Sequence, residues 1–352
     1  MPFAAIHPRA PPSSGAMVSV DSNLHSLSDV LERAEDRLSG RADTESRVWP
    51  TGFDPLDHHL TGGFRAGELI LLAGPQGLGK TTWALQVGRN VARSGRQVAY
   101  FCFEHDPQSL LERLVALEAG EVGGFDAPDL RHVRTSFEAH DRRSLDLATR
   151  LDEHKGGAEA IARVRAYAER YHLHRSSGRS TSAELIIDVV EEIRDSTGSA
   201  PLVIVDYLQK MHVPGGSPVE DERITVAVEG LKDLALDHHV PVLAVAAGDK
   251  EGIAAGRRMR SSHLRGSSAL AYEADTVLIL NNKFDVVARH HLVYDLSSAE
   301  KFRAWAVLSI EKNRSGLDKV DMEFRTRFDH GRFEQDGRLV TEQLIDERVF
   351  TE

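Results

Sequence analysis

Residues Gly74, Pro75, Gln76, Gly77, Leu78, Gly79, Lys80, Thr81 and Thr82 follow the apolar run ELILLA (68–73) and open the helix-patterned stretch KTTWALQVGRNVARSG. Few folds accept that order. A glycine-rich turn between a buried strand and a helix lets successive backbone N–H groups converge at the positive end of the helix, where they suit phosphate oxygens. The spacing G-x-x-x-x-G-K-[ST] then places Lys80 to bridge the β- and γ-phosphates and the Thr81 hydroxyl to ligate Mg2+. Strand and helix flank the motif as its chemistry requires, which argues against a chance glycine loop. Residues 74–82 are therefore expected to hold a nucleoside triphosphate.

The rest of the chain repeats the alternation. QVAYFCF (97–103), PLVIVD (201–206), PVLAVAA (241–247) and DTVLIL (275–280) read as buried strands, separated by helix-patterned stretches. Strands spaced by helices predict an α/β fold, a mostly parallel sheet with helices on both faces. RAWAVLSIEK and KVDMEFR complete a strand-rich C-terminal part, whose strands are expected to be antiparallel. The stretch from about 120 to 170 is charged, helix-rich and carries no motif. Asp206 ends LVIVD at the sheet edge where a second Mg2+-organising carboxylate belongs. Glu104 ends the neighbouring strand, where a carboxylate suits a general base on the attacking water; the plainer alternative is an acid beside a helix N-terminus.

Composition bounds the remainder. The chain has 352 residues, 41% apolar and 28% charged, with no apolar run long enough for a membrane span. Its first 22 residues, rich in Pro, Ser and Ala, read as a disordered leader of a cytoplasmic protein. The single Cys102 is expected to be a buried strand residue. Seventeen histidines are scattered without zinc spacing, so no metal site is expected from them. A net charge of −11 excludes a general nucleic-acid coat and leaves only a local basic stretch. That stretch is GDKEGIAAGRRMRSSHLRGSS (248–268), with Lys250, Arg257, Arg258, Arg260 and Arg265 as candidates to follow a phosphate backbone. A solvated flexible loop is its bland alternative, and HVPGGSPVEDE after Met211 is a second candidate.

Two further features concern assembly. Leu24, Leu27, Leu31, Ala34 and Leu38 form one narrow apolar seam on a helix, with Ser26 and Asp29 as a capping box and Gly40 as C-cap. Such a helix either packs on its own domain or docks on another subunit. The run SIEKNRSG (309–316) ends a strand with Lys312 and Arg314 on one face, before a turn at Gly316.

The segments TGFDPLDHHLTGGFRAGELILLAGPQGLGKTTWAL, FCFEHDPQSLLERL, LVIVDYLQKM, LKDLALDHHVPVLAV, LRGSSALAYEADTVLIL and EKNRSG occur here in one order. In that order they resemble the C-terminal motor domain of DnaB-type replicative helicases, from about Thr51 to Glu334. The resemblance implies a RecA-like ATPase core over 51–340, a linker helix and connector over 23–50 that docks on the adjacent subunit, and a tail over 341–352. It implies ATP and Mg2+, a homohexameric ring, and single-stranded DNA in a central channel lined by the 248–268 loop. It also implies that Lys312 and Arg314 reach across the subunit boundary to the neighbour's γ-phosphate. A protein partner or loader is left unidentified.

The chain departs from the family pattern in two ways. Ala247 stands where the family usually places a glutamine that senses the γ-phosphate and links it to the DNA loop. About fifty residues of leader and helix stand where the family has a large helical N-terminal domain. Both departures point to an accessory motor rather than the main replicative enzyme. They keep open a second class, a RecA-fold regulatory or assembly ATPase whose nucleotide state controls oligomerisation.

Overall fold

The computed structural model describes residues 25–39, 47–138, 146–252, 254, 256–266, 268–288, 290–293 and 296–347. The expected leader, Leu24, the Gly40 cap, most of the connector and residues 348–352 lie outside them. The chain divides into two units, 1–46 and 47–352.

The first unit contains α1 (Leu27–Leu38). Its capping box is reciprocal: the Ser26 N–H donates to Asp29 Oδ2 at 3.1 Å and the Asp29 N–H donates to Ser26 Oγ at 3.1 Å. The seam it starts is uncovered, with Leu27 85%, Leu31 60% and Leu38 89% exposed.

The second unit begins with a two-stranded ribbon, β1 (Val48–Trp49) and β2 (Phe64–Arg65), around α2 (Asp54–His59). The elements β3 (Leu69–Ala73), α3 (Lys80–Arg93), β4 (Val98–Cys102), α4 (Pro107–Gly123), α5 (Leu130–Phe137), α6 (Leu147–Leu151), α7 (Gly157–Tyr167), β5 (Tyr171–Arg175), α8 (Ala183–Thr197), β6 (Leu202–Asp206), α9 (Glu220–Asp237) and β7 (Val242–Val245) follow. They lead to α10 (Ala269–Glu273), β8 (Thr276–Asn282), β9 (Trp305–Asn313), β10 (Val320–Arg327), β11 (Arg332–Phe333) and β12 (Arg338–Leu339). One sheet runs β11-β10-β9-β8-β3-β7-β6-β4-β5, with β12 also on β10. Strands β8, β3, β7, β6, β4 and β5 pair in parallel, whereas β9 to β12 pair antiparallel.

Every residue of β3, β4, β6 and β7 is buried, as expected of parallel strands covered on both faces. Cys102 is among them. Local signals place the helices. Asp106 accepts from the Ser109 N–H with Pro107 at the first helical position, starting α4, while Ser182 starts α8 and Gly198 at φ 72° ends it. Among the described residues no helix is long and apolar enough to cross a membrane.

One region differs from the sequence reading, and a second, helical as expected, gains a content that the sequence did not show. The expected tail does not begin at 341. The Ala288 N–H donates to Gln343 O, the Ile345 N–H to Val286 O and the Arg258 N–H to Asp346 O, so the chain to residue 347 is bound to this unit. The charged 120–170 stretch, in turn, supplies a buried cluster beside α3. Arg89 is fully buried and pairs with Glu121 and, at 3.6 Å, with Glu118. Arg93 approaches Glu121 at 3.0 Å, and Arg163 approaches Glu118 at 3.9 Å. Burial pushes the Glu118 carboxyl up, against the pull of Arg89.

Removing one partner of such a cluster strands the others in low dielectric. Arg89→Ala is expected to cost about 3–5 kcal/mol, read as a lower urea midpoint. A midpoint equal to that of wild type would mean that the cluster contributes nothing to the fold.

Candidate active site

Strands β3, β4 and β6 run parallel in one sheet, with β7 between β3 and β6, and residues picked out by the sequence lie at or just beyond their C-terminal ends. After β3 the loop 74–79 turns into α3, with Gly77 at φ 81° and Gly79 at φ 80°. Gly74 is needed for another reason: a Cβ there would lie 2.6 Å from the Leu280 carbonyl oxygen of β8. Pro75, Gln76 and Leu78 complete the loop, and Thr82 begins the buried face of α3. Lys80 Nζ donates to the carbonyl oxygens of Gly74 at 2.8 Å and Pro75 at 3.0 Å, which fixes the ammonium inside the loop. Burial pushes its pKa down, while Asp206 and Glu104 oppose that shift.

Asp206 ends β6 and is 3% exposed. Burial pushes its carboxyl pKa up; hydrogen bonds from Tyr100 and Thr81 hold it back. The Tyr100 phenol, fully buried in β4, donates to Asp206 Oδ2 at 2.8 Å. Sequence reading missed Tyr100, because nothing in VAYFC marks one aromatic as the partner of a carboxylate a hundred positions away. Thr81 and Asp206 thus sit together as an oxygen pair for a cation. Among the described residues no group of three or more His, Cys, Asp or Glu can hold a metal ion. Two oxygens fit Mg2+, which takes one or two protein ligands and completes its shell with phosphate and water. Glu104, beyond β4, is exposed and pairs with Lys210 at 3.0 Å.

A second omission lies over the loop. Phe328, 44% exposed, brings its ring within 2.7 Å of where a Gly79 Cβ would lie, and it packs edge-on against Phe333 at 5.6 Å. The Gln86 side chain holds Phe333 by donating to its carbonyl and accepting from its N–H, both at 2.8 Å. Strand β11 is thereby fastened to α3, leaving an aromatic face beside the phosphate loop.

Lys312 and Arg314 emerge elsewhere. Lys312 Nζ donates to Ala271 O at 2.8 Å and Tyr272 O at 2.9 Å, and Arg314 donates to Tyr272 O at 2.7 Å. Both therefore share one face. Arg314 also pairs with Asp275 at 3.3 Å, and the same carboxylate accepts from the Leu69 N–H at 2.8 Å. Leu69 begins β3, whereas the phosphate loop leaves its end. Five residues of strand, roughly 16 Å, separate the arginine's anchor from its own chain's loop.

The basic stretch leaves β7 and returns to α10 as a loop closed at its base. The Arg265 N–H donates to Ala247 O at 2.9 Å, and Gly248 bridges Leu264. Lys250 is exposed on it. Arg257 pairs with Glu251 at 3.2 Å, Arg260 with Glu311 at 2.8 Å and Asp346 at 2.6 Å, and Arg265 with Glu220 at 2.9 Å. The last contact brings the second candidate loop alongside the first. Arg258 is a correction: it is 4% exposed, pairs with Asp321 and donates to Ser309 Oγ at 3.0 Å, so it serves the fold. Its alternation with Arg257 and Met259 gave no sign of that burial, which comes from β9 and β10.

The model of the DnaB-like helicase C terminal domain matches residues 49–335. The replicative DNA helicase DnaB of Rhodothermus marinus is 31% identical over 290 residues, covering 80% of this chain and 27% of that protein. That of Pasteurella multocida is 26% identical over 306 residues, covering 85% and 59%, and that of Geobacillus stearothermophilus 25% over 272, covering 76% and 53%. The chain thus spans between about a quarter and three fifths of those relatives' lengths. Among solved structures, the ATPase domain of G40P has the same fold, with TM-score 0.67 at 20% identity, covering 88% of this chain and 99% of that one. A DnaB-like replicative helicase whose structure is described with its interactions with primase gives TM-score 0.66 at 20% identity, covering 88% and 68%.

The Tyr100–Asp206 contact carries a pH signature. The phenol stabilises the ionised carboxylate, so Tyr100→Phe raises further a pKa that burial has already raised. The variant should need more Mg2+ than wild type to bind ATP, with the gap widening as pH falls and narrowing as pH rises. Titration calorimetry at several pH values measures this. Superimposable Mg2+ curves at acid pH would detach Asp206 from the cation.

Proposed function

Because the chain belongs to the DnaB-like helicase C-terminal domain family, we propose that it is an ATP-hydrolysing motor on single-stranded DNA that works as a ring of identical subunits, six by analogy with the family. The observation that carries this reading is the distance between the two halves of the site. Arg314 is anchored at the start of β3 and the phosphate loop lies at its end. A cation so placed serves a neighbour's phosphate more readily than its own.

The roles follow from position. The loop 74–79 and Lys80 would hold the phosphates, Thr81 and Asp206 the Mg2+, and Phe328 would offer its face to the base. Glu104 would take a proton from water as the water oxygen attacks the γ-phosphorus. The bond to the bridging oxygen then breaks, and its electrons remain on ADP. Arg314 and Lys312 of the neighbouring subunit would stabilise the charge that develops, which ties hydrolysis to assembly. Lys250, Arg257, Arg260 and Arg265 are the proposed DNA-facing cations; Arg258 leaves that set. Phosphate must displace the acids now paired with the arginines, which favours weak, salt-dependent, sequence-independent contact. Ala247 supports an accessory role, and it is also the residue that favours the second reading, a regulatory ATPase that switches assembly without unwinding. ATPase activity indifferent to single-stranded DNA would favour that reading.

Two experiments test the shared site. Lys80→Ala and Arg314→Ala should each abolish or nearly abolish turnover, since trans arginines of this kind are worth roughly 10³–10⁵ in rate. Mixed under subunit exchange, the two dead proteins should regain part of the activity, because one interface then joins an intact loop to an intact arginine. Mixed oligomers that stay inactive, with turnover falling linearly when wild type is doped with Arg314→Ala, would place the arginine in cis. The second experiment deletes residues 1–40. The exposed leucines of α1 are worth ~1.5–3 kcal/mol each when buried, before entropy costs. The truncated protein should sediment as monomers or small oligomers; an unchanged profile would remove α1 from the interface.

A further inference from the structure

A single 3-10 turn, Leu208–Lys210, follows Asp206 and touches both halves of the machinery. Lys210 Nζ lies 3.0 Å from Glu104 Oε1, with its ammonium over the Tyr207 ring at 5.0 Å. Gln209, the preceding residue, points its amide the other way. Its Nε2 donates to Arg265 O at 3.1 Å, and its Oε1 accepts from the Ala247 N–H at 3.1 Å. It is thus bonded to the loop 248–264 at both the point where the chain leaves β7 and the point where it returns. Leu208 is buried, and the turn is closed by Lys210 N–H to Tyr207 O at 3.2 Å and Met211 N–H to Leu208 O at 3.0 Å. The two side chains therefore move with one short piece of backbone.

Each contact has a chemical consequence. A carboxylate oxygen held by an ammonium has a lone pair occupied, so that lone pair is closed to a proton from water. A side-chain amide donates from one end and accepts at the other, and both ends are used here. The Ala247 methyl can do neither. Arg265, whose carbonyl Gln209 holds, pairs through its guanidinium with the exposed Glu220. A phosphate that drew Arg265 away from Glu220 would pull on that carbonyl.

We infer that the Leu208–Lys210 turn couples the loop to the hydrolytic site: Lys210 restrains Glu104 while the loop is empty, and Gln209 passes displacement of the loop to that restraint. Both are positioning residues, acting through Glu104 and the loop. The transmission half rests on the proposed action on DNA; the restraint half does not.

The 352-residue protein, assayed for ATP turnover with and without an oligothymidine strand, separates the two halves. Without DNA, Lys210→Met should raise kcat about two- to fivefold at unchanged KM, the range expected of a half-exposed ion pair. Lys210→Arg should restore the wild-type rate, and adding Glu104→Gln should abolish the gain. Gln209→Leu should reduce the ratio of DNA-stimulated to DNA-free turnover to near one, with Gln209→Glu, which keeps the acceptor and loses the donor, in between. A DNA-free kcat of Lys210→Met at or below that of wild type overturns the restraint. Full stimulation of Gln209→Leu overturns the transmission. If wild type itself is not stimulated, the motor reading and the transmission fail together, while the Lys210 variants still decide the restraint.

Discussion

Strand β9 runs antiparallel to β8, and most of what is distinctive in the site descends from that reversal. In the parallel part of the sheet every strand delivers its C-terminal end to one edge, and Gly74, Glu104 and Asp206 gather there. β9 returns in the opposite sense, pairing Asn313 with Thr276, so its last residues reach the other edge. Asp275 fastens that edge by accepting from the Leu69 N–H, pairing with Lys232 at 2.7 Å and receiving Arg314. A chain built this way presents its anion-binding loop at one side and its cations at the other. Two copies set edge to edge can complete what one copy divides.

The loop edge is electrostatically demanding in isolation. Burial pushes both Lys80 and Asp206 toward neutrality; the Asp206 charge opposes this at the lysine, and hydrogen bonds oppose it at the carboxylate. Tyr100 and Thr81 supply donors to the carboxylate, and the Gly74 and Pro75 carbonyls accept from the lysine. Such a pair is poised for a ligand that brings both a cation and phosphate oxygens, because it satisfies both partners at once. The opposite edge is wetter, and Arg314 there is partly exposed, as suits a group that must meet another surface.

Much of this was legible in the sequence, for identifiable reasons. The phosphate loop and its flanking strand and helix are contiguous, so Gly74 to Thr82 announce themselves through local pattern alone. Asp206 and Glu104 sit where an apolar run stops, and a parallel sheet sends such stops to one edge. The capping box of α1 is likewise a local signal, and it formed as expected. What escaped depends on contacts distant in sequence. Tyr100 is an unremarkable letter, and the partners of Gln209 are unreadable, until β4, β6 and β7 lie side by side. Phe328 becomes a neighbour of Gly79 only when Gln86 secures Phe333. Arg258 misled the reading because three arginines in four residues look like a solvated stretch, whereas Asp321 and Ser309 draw one of them inward. The tail was misjudged for the same reason: polar sequence concealed backbone hydrogen bonds to Val286, Ala288 and Arg258.

Division of the catalytic site between copies of the chain underlies the proposed hydrolysis. Its most direct test is the ATP turnover of wild-type protein per subunit, measured across dilution alongside the mass from light scattering. A divided site predicts that specific activity falls with the fraction of subunits in oligomers and vanishes where the protein is monomeric. A constant turnover per subunit down to the monomer would contradict it, because one chain would then hold every group that hydrolysis needs.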